Sequence, residues 1–537
     1  MGEKETLVIG GPGCGKTSFL VAQTKIAAKK HGSDKVMVCS LTKAAANEAA
    51  SRDSGLMPNM IGTLHALCFR ALGQPKMAES KEGMEIWNAE NKKSPLRVSS
   101  SNVEDCGIKE HTGASGPSQK FDMYLQQANL LRAKKAPDLY WTRLVKGFYN
   151  RWCDFKKEHD FMDFADLIEH GTDLLYAPGN PNVIFADEAQ DLSCAEHDLL
   201  MKWSRRAQKL VIVADRDQSL YYWRGSSEDI ADPKRFKDEN IRVLSQSYRV
   251  PKAVHKKAVN LIRRHSNRVD VEYKSTDVEG RVYRSAATYK DPKLLEPIID
   301  KAVNDNKSIM VLGSCSYMID PLIKRFREVG IPYGNPYSKR WAPLRRSATQ
   351  VYDYLKPSRE FNNDPSFWTI KELKNVVHNV MKSKIFRSRM GGRIEALPDD
   401  ISQEDMASVI REVMLPDVLV DFMEFDPVRF LKYFPQTKRD AMKYPVGIVK
   451  RFSRDHLITE PNVTVGTIHS VKGGEADLVI LFPDLSIQGY KQYKARGFGG
   501  RDAIIRMFYV GVTRAREELI ICNPCGGSYA KEVISGT

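Results

Sequence analysis

Short apolar runs rich in β-branched residues recur along the chain: TLVIG (6–10), KVMVCS (35–40), NVIFAD (182–187), KLVIVAD (209–215), SIMVLG (308–313), VTVGTI (463–468), DLVILF (477–482) and ELIICN (518–523). Each is bounded by turn residues or by a stretch with apolar positions at helical spacing, as in TSFLVAQTKIAAKK (17–30). Continuous apolar runs read as strands buried on both faces, and their alternation with helices predicts parallel sheets. The runs fall into two groups, residues 6–215 and 308–523, each interrupted by a long stretch without them. The first interruption, 73–160, contains the polar SSSNVEDCGIKEHTGASGPSQ (99–119), predicted as a loop. The second, 339–444, reads as helical and partly basic, as in KELKNVVHNVMKSKIFRSRMGGR (371–393). The predicted fold class is α/β: two parallel-sheet domains, each with an inserted, mainly helical subdomain. The boundaries drawn are 1–72 with 161–245 for the first sheet domain, 73–160 for its insertion, 246–338 with 445–537 for the second domain, and 339–444 for a reduced second insertion.

Length agrees, since 537 residues are too many for one ordinary core. No run approaches 18 apolar residues and the charged N-terminus lacks the apolar segment of a signal peptide. A soluble, unsecreted protein without membrane contact is expected, placed in a prokaryotic, plasmid-host or phage-host cytoplasm. Nine cysteines, an odd number, read as reduced thiols there, and Cys522 and Cys525 form a lone C-x-x-C with no second pair for a zinc site.

Lys and Arg total 82 against 67 Asp and Glu, a formal charge of +15, which points to a polyanionic partner such as nucleic acid. Residues 130–157 concentrate eight Lys/Arg against two Asp, interleaved with Tyr140, Trp141, Phe148, Tyr149, Trp152 and Phe155. Two readings stand for this stretch: a cationic, aromatic face for a nucleic-acid strand, or an amphipathic helix pair with buried aromatics and a solvated basic side.

The first apolar run leads directly into GGPGCGKTS, in which Gly10 to Thr17 fit the phosphate-loop pattern G-x-x-x-x-G-K-[ST]. Backbone N–H groups of a turn containing Gly10, Gly13 and Gly15 point at a phosphate, Lys16 reaches the terminal phosphates, and the Thr17 hydroxyl, followed by Ser18, stands where Mg²⁺ is ligated. Such a loop needs a metal-ordering carboxylate at the end of a neighbouring strand. NVIFAD followed by Glu188 supplies it, with Asp187 for the metal and Glu188 as general base for the attacking water.

ADEAQD (186–191), VADRDQSLYYWRGS (213–226), LSQSYR (244–249), VGTIHSVKGGEAD (465–477) and MFYVGVTRARE (507–517), in this order after the phosphate loop, closely resemble the motifs of superfamily 1 helicases of the UvrD/Rep type. CSLTKAAANEA (39–49) and IGTLHALCFRAL (61–72) are similar to that family's early DNA-contact motifs, and FMDFADLIEHG (161–171) to its D-F-x-D-L element. The resemblance implies two RecA-like P-loop domains, use of ATP with Mg²⁺, and a motor moving 3′→5′ on single-stranded DNA that unwinds duplex. Its partners would be single strands, single/double-strand junctions and replication or repair proteins, and in isolation it would be a monomer. It assigns Gln218 as the γ-phosphate sensor, Arg249 and Arg514 as arginines acting on the γ-phosphate, Tyr248 as the ring stacked on the nucleotide base and Glu475 as the ribose ligand. Thr42, Thr63, His65, Tyr221, Trp223 and His469 match DNA contacts. With phosphate loop and arginines on different domains, nucleotide binding and hydrolysis would close and open a cleft.

Three departures modify these expectations. The early contact motif lacks its usual aromatic, reading Ser40-Leu41-Thr42-Lys43-Ala44-Ala45. The second insertion is short for the family. MGEKETLVI offers no glutamine before Gly10 to read adenine, so relaxed nucleotide selectivity is expected. The alternatives carried forward are a 5′→3′ motor of the RecD-like branch and a strand-stimulated ATPase that displaces proteins or regulates without productive unwinding.

Overall fold

All eight apolar runs are strands in the computed structural model, which describes residues 4–40, 55–97, 117–174, 176–221, 225–226, 228–266, 268, 270–335, 368–423, 429–495 and 498–535. The chain divides into two units: residues 1–284 with 468–475 and 483–537, and residues 285–467 with 476–482.

The first unit holds a six-stranded sheet ordered Ile61–Thr63, Val36–Ser40, Val183–Asp187, Lys209–Ala214, Glu5–Gly10, Ile241–Leu244, and every neighbouring pair is parallel. The two outermost strands made no apolar run. Ile61–Thr63 is only three residues long, and Ile241–Leu244 is an edge strand carrying the polar Arg242. Val8, Val36, Val38, Val183, Phe185, Val211 and Val213 pack with Leu20 of the helix Lys16–His31 into one buried cluster, so burial of the β-branched runs is what fixes the sheet. The register pairs Ile9 with Ala214 and Ala186 with Ile212. Gly10, Asp187 and Asp215 therefore emerge at the same carboxyl edge, where parallel α/β sheets bind ligands.

In the first insertion the polar stretch lies largely outside the described residues. Its last three residues, predicted as loop, instead open the helix Pro117–Ala133, because proline at a first helical position loses no hydrogen bond. This helix, Lys81–Glu90 and Arg143–Glu158 enclose an aromatic core in which Trp87, Phe148, Trp152 and Phe155 are buried and the Trp87 and Trp152 rings lie 5.1 Å apart. Arg132 and Lys156 turn inward onto Asp163 and Asp166 at distances of 2.6–2.8 Å. The amphipathic reading of residues 130–157 thus holds for these helices, with Arg143, Lys146, Arg151 and Lys157 left exposed.

In the second unit Val463–Thr467, Ile309–Gly313 and Ala476–Leu481 are parallel neighbours in that order. The region 368–451 is helical, as its pattern predicts: Ile370–Asn379 opens with a capping box between Thr369 and Glu372, and Gln403–Val413, Pro416–Met423 and Gln436–Arg451 follow. Among the described residues no helix is long and apolar enough to cross a membrane.

Candidate active site

The loop after the first strand turns through Gly13 (φ 70°) and Gly15 (φ 75°), conformations that strain any side chain. Space requires glycine as well: a Cβ on Gly13 would lie 2.4 Å from the Arg249 Cβ, and one on Gly11 2.5 Å from the Tyr273 ring. Lys16 folds back into this turn. Its Nζ donates to the carbonyls of Gly10 (2.9 Å) and Gly11 (3.1 Å) and stands 3.6 Å from an Asp215 carboxylate oxygen. Thr17 and Ser18 follow in the first turn of the helix, whose N-terminal N–H groups and dipole favour an anion. The segment 247–249 sits directly on the loop, with Ser247 Oγ donating to Pro12 O (2.8 Å) and the Tyr248 N–H to Gly13 O (2.9 Å). The Tyr248 ring stands beside Gly15 and is 77 % exposed, an open aromatic face at the phosphate loop.

Asp187 ends its strand buried, accepting the Glu188 N–H at 3.0 Å. Glu188 itself is left-handed (φ 51°), and Oε2 receives Gln190 Nε2 at 2.8 Å and Lys472 Nζ at 3.2 Å. Burial would raise its proton affinity, but Lys472 and Lys16 outweigh burial and hold its pKa down to about 2, so it is an ionised acceptor at neutral pH. Lys472 also pairs with Asp191 and donates to Gln218 O.

Gln218 and Arg514 meet in the same unit. The Gln218 amide donates to Asp215 and accepts from Arg514 Nη2. The other nitrogens of Arg514 donate to Val510 O and Gly474 O, both at 3.0 Å. A chain of contacts thus runs from Arg514 through Gln218 and Asp215 to Lys16. Arg514 is 1 % exposed and has only neutral acceptors among the described residues, and burial, reinforced by the charge of Arg249 and partly opposed by Glu188, Asp215 and Glu475, lowers its pKa to about 9. Arg249 is held by Glu475 at 2.6 Å, and Arg516 approaches the same carboxylate at 3.5 Å. The residue expected to meet the ribose is therefore engaged by two arginines.

The DNA-contact candidates are dispersed. Thr63 caps the helix Leu64–Ala71, its hydroxyl accepting the Ala66 N–H at 3.2 Å. His65 lies 3.5 Å from Glu196. Tyr221 is buried with its ring 6.4 Å from His469 and under the Lys472 ammonium. Burial and then Lys472 push the His469 pKa down to about 4. Thr42 and Trp223 lie outside the described residues. Sequence reading passed over Asp215, Gln190, Ser247 and Lys472, although all four lie inside the quoted motifs; the signal was position within the motif, and the contact partners are 25 or more residues away except within the loops themselves.

A phosphate loop, a strand-end Asp-Glu pair and a buried arginine joined to a glutamine at the carboxyl edge of a parallel sheet define the class of P-loop nucleoside triphosphatases. Residues 1–237 match the family model of the UvrD/REP helicase N-terminal domain. The chain is similar to the ATP-dependent DNA helicase PcrA of Staphylococcus aureus (strain MRSA252), 21 % identical across 97 % of this chain and 81 % of that protein. Similar too are the ATP-dependent DNA helicase UvrD1 of Mycobacterium leprae, at 24 % across 69 % of this chain and 52 % of that protein, and PcrA of Bacillus subtilis, at 26 % across 49 % and 38 %. Residues 1–237 thus resemble the N-terminal domain of UvrD/REP helicases, and the parallel sheets of the chain are consistent with two RecA-like domains.

Proposed function

We propose that this protein hydrolyses ATP to move 3′→5′ along single-stranded DNA and unwinds duplex as it goes, working in the cytoplasm as a monomer at single/double-strand junctions and alongside replication or repair proteins. The observation that carries the reading is Arg514: a buried cation whose hydrogen-bond partners among the described residues are all neutral, linked through Gln218 and Asp215 to the phosphate-loop lysine. Such a group gains most from an anion that develops charge beside it.

The residues suit an Mg²⁺ ion. Mg²⁺ keeps most of its water and takes one or two protein oxygens together with substrate phosphates, and Asp187 with Thr17 provides that number beside the loop. Bound there, the ion would neutralise charge on the β- and γ-phosphate oxygens. Gly10, Gly13, Gly15 and Ser18 then serve as backbone and hydroxyl donors, Lys16 binds the terminal phosphates, and Glu188 accepts the proton of the attacking water. Gln218 senses the γ-phosphate, Arg249 and Arg514 stabilise it, Tyr248 stacks on the base and Glu475 binds the ribose. Thr42, Thr63, His65, Tyr221, Trp223 and His469 contact the strand. The domain limits proposed are 1–72 with 161–245, 73–160, 246–338 with 445–537, and 339–444.

Strand displacement on duplexes with a 3′ or a 5′ single-stranded tail tests this. Unwinding of the 3′-tailed duplex alone is expected. Unwinding only from a 5′ tail overturns the polarity, and strand-stimulated hydrolysis without displacement of either duplex leaves a translocase in place of a helicase.

A further inference from the structure

Gln190, the fifth residue of ADEAQD, is fully buried and uses both ends of its amide. Nε2 donates to Glu188 Oε2 at 2.8 Å and, more loosely, to Asp191 at 3.4 Å; Oε1 accepts the Asp215 N–H at 3.0 Å. Its backbone carbonyl accepts Ser219 Oγ at 3.2 Å, and Asp191 accepts the Leu220 N–H at 3.0 Å. The segment 215–220 is thereby held at three points by residues 190 and 191, and it leads straight into Tyr221. Two side chains continue from that segment to the Glu188 carboxylate: Lys472, which donates to Gln218 O at 3.2 Å and stands 3.2 Å from Glu188 Oε2, and Gln190, the one of the two that binds the Asp215 backbone.

We propose that Gln190 is a positioning residue that couples the segment 215–221 to Glu188, so that a strand engaging this segment re-aims the general base. The inference rests on the function proposed above. An amide group is planar, so its oxygen and nitrogen move together: displacement of the Asp215 backbone either swings Nε2 against Glu188 or breaks one of two bonds that weaken steeply with misalignment. Glu188 is sensitive to such a pull. Its left-handed backbone persists only while its surroundings enforce it. Gln190 and Lys472 both hold Oε2, and among the described residues Oε1 is the oxygen left to face a substrate water. Where Oε1 points is therefore set from the other side of the carboxylate, by a residue that never touches the nucleotide.

The test is ATP hydrolysis by the full chain with and without oligo(dT), for wild type, Gln190→Met and Gln190→Glu. Methionine keeps the volume and removes both bonds. Glutamate keeps an acceptor for the Asp215 N–H and replaces the donor to Glu188 by a like charge. Both variants should lose about tenfold or more of the ratio of kcat with DNA to kcat without, while KM for ATP and oligo(dT) affinity stay within about threefold of wild type. A ratio in Gln190→Met within about twofold of wild type overturns the coupling, as does a loss shared equally by KM and DNA affinity, the signature of a merely structural role. A wild-type protein that oligo(dT) does not stimulate overturns the proposed function, and this inference with it.

Discussion

Arg132 and Arg514 are both buried in the first unit, 8 % and 1 % exposed, yet their surroundings act on their charge in opposite directions. Arg132 forks onto Asp163, Asp166 and Glu169, and Trp152 Nε1 and Lys156 complete the coordination of Asp163. Burial opposes its charge, but Glu169 and Asp163 overcome that and raise its proton affinity. Arg514 has backbone carbonyls and one amide oxygen instead, and the more distant carboxylates of Glu188, Asp215 and Glu475 only partly offset its burial. The first arginine is satisfied and ties the helical insertion to the helix Phe164–Asp173. The second is a cation held ready for an anion that the folded chain does not itself supply. In the function proposed above, two buried arginines thus separate into structure and chemistry by the charge of their partners.

The contrast can be broken or sharpened by substitution. The largest effect is expected for Lys16→Ala, which removes the side-chain cation of the phosphate loop: hydrolysis should fall by about 10³-fold or more while oligo(dT) binding persists, as read by steady-state turnover and fluorescence anisotropy. Arg132→Ala should do the reverse. It leaves Asp163 and Asp166 short of a partner in the interior and should destabilise the fold by about 3–5 kcal/mol, seen in denaturant or thermal unfolding, with kcat per folded molecule unchanged. A smaller effect separates the two arginines by pH. With the Arg514 pKa of the free chain lowered by burial and Arg249 to about 9, kcat/KM for ATP should decline above that value as the arginine loses its proton, a limb that Arg514→Ala should lack. The smallest concerns His469. Its folded pKa lies below its unfolded value, so its neutral form contributes stability above pH ~6.5 that is lost as pH falls toward about 4, about 2 kcal/mol by pH 5. Thermal melts of wild type and His469→Gln across that range give the difference.

Much of this was legible in the chain because it is local. Apolar β-branched runs became strands to within about three residues, GGPGCGKTS became a loop in which Gly13 and Gly15 hold φ of 70° and 75°, and Asp187 ended a strand. What pattern left open was decided at long range. Residues 130–157 support a cationic face or a helix pair equally well until Asp163, Asp166 and Glu169 bring Arg132 and Lys156 inward. The Gln190 bond to Asp215 spans 25 residues, the Lys472 pair with Asp191 spans 281 and the Arg514 bond to Gln218 spans 296, and no periodicity encodes such separations. The same reason hides the pairing of Glu475 with Arg249, 226 residues apart.

The central claim, that Arg514 is a charge reserved for the transferring phosphoryl group, is tested most directly by steady-state ATP hydrolysis of Arg514→Ala at saturating oligo(dT), with KM determined alongside. A finger acts on the transition state, so kcat should fall by about 10³–10⁵-fold with KM for ATP within about tenfold of wild type. Near-normal turnover, or equal losses in binding and turnover, would contradict it and place Arg514 with Arg132 among the arginines that only hold the fold together.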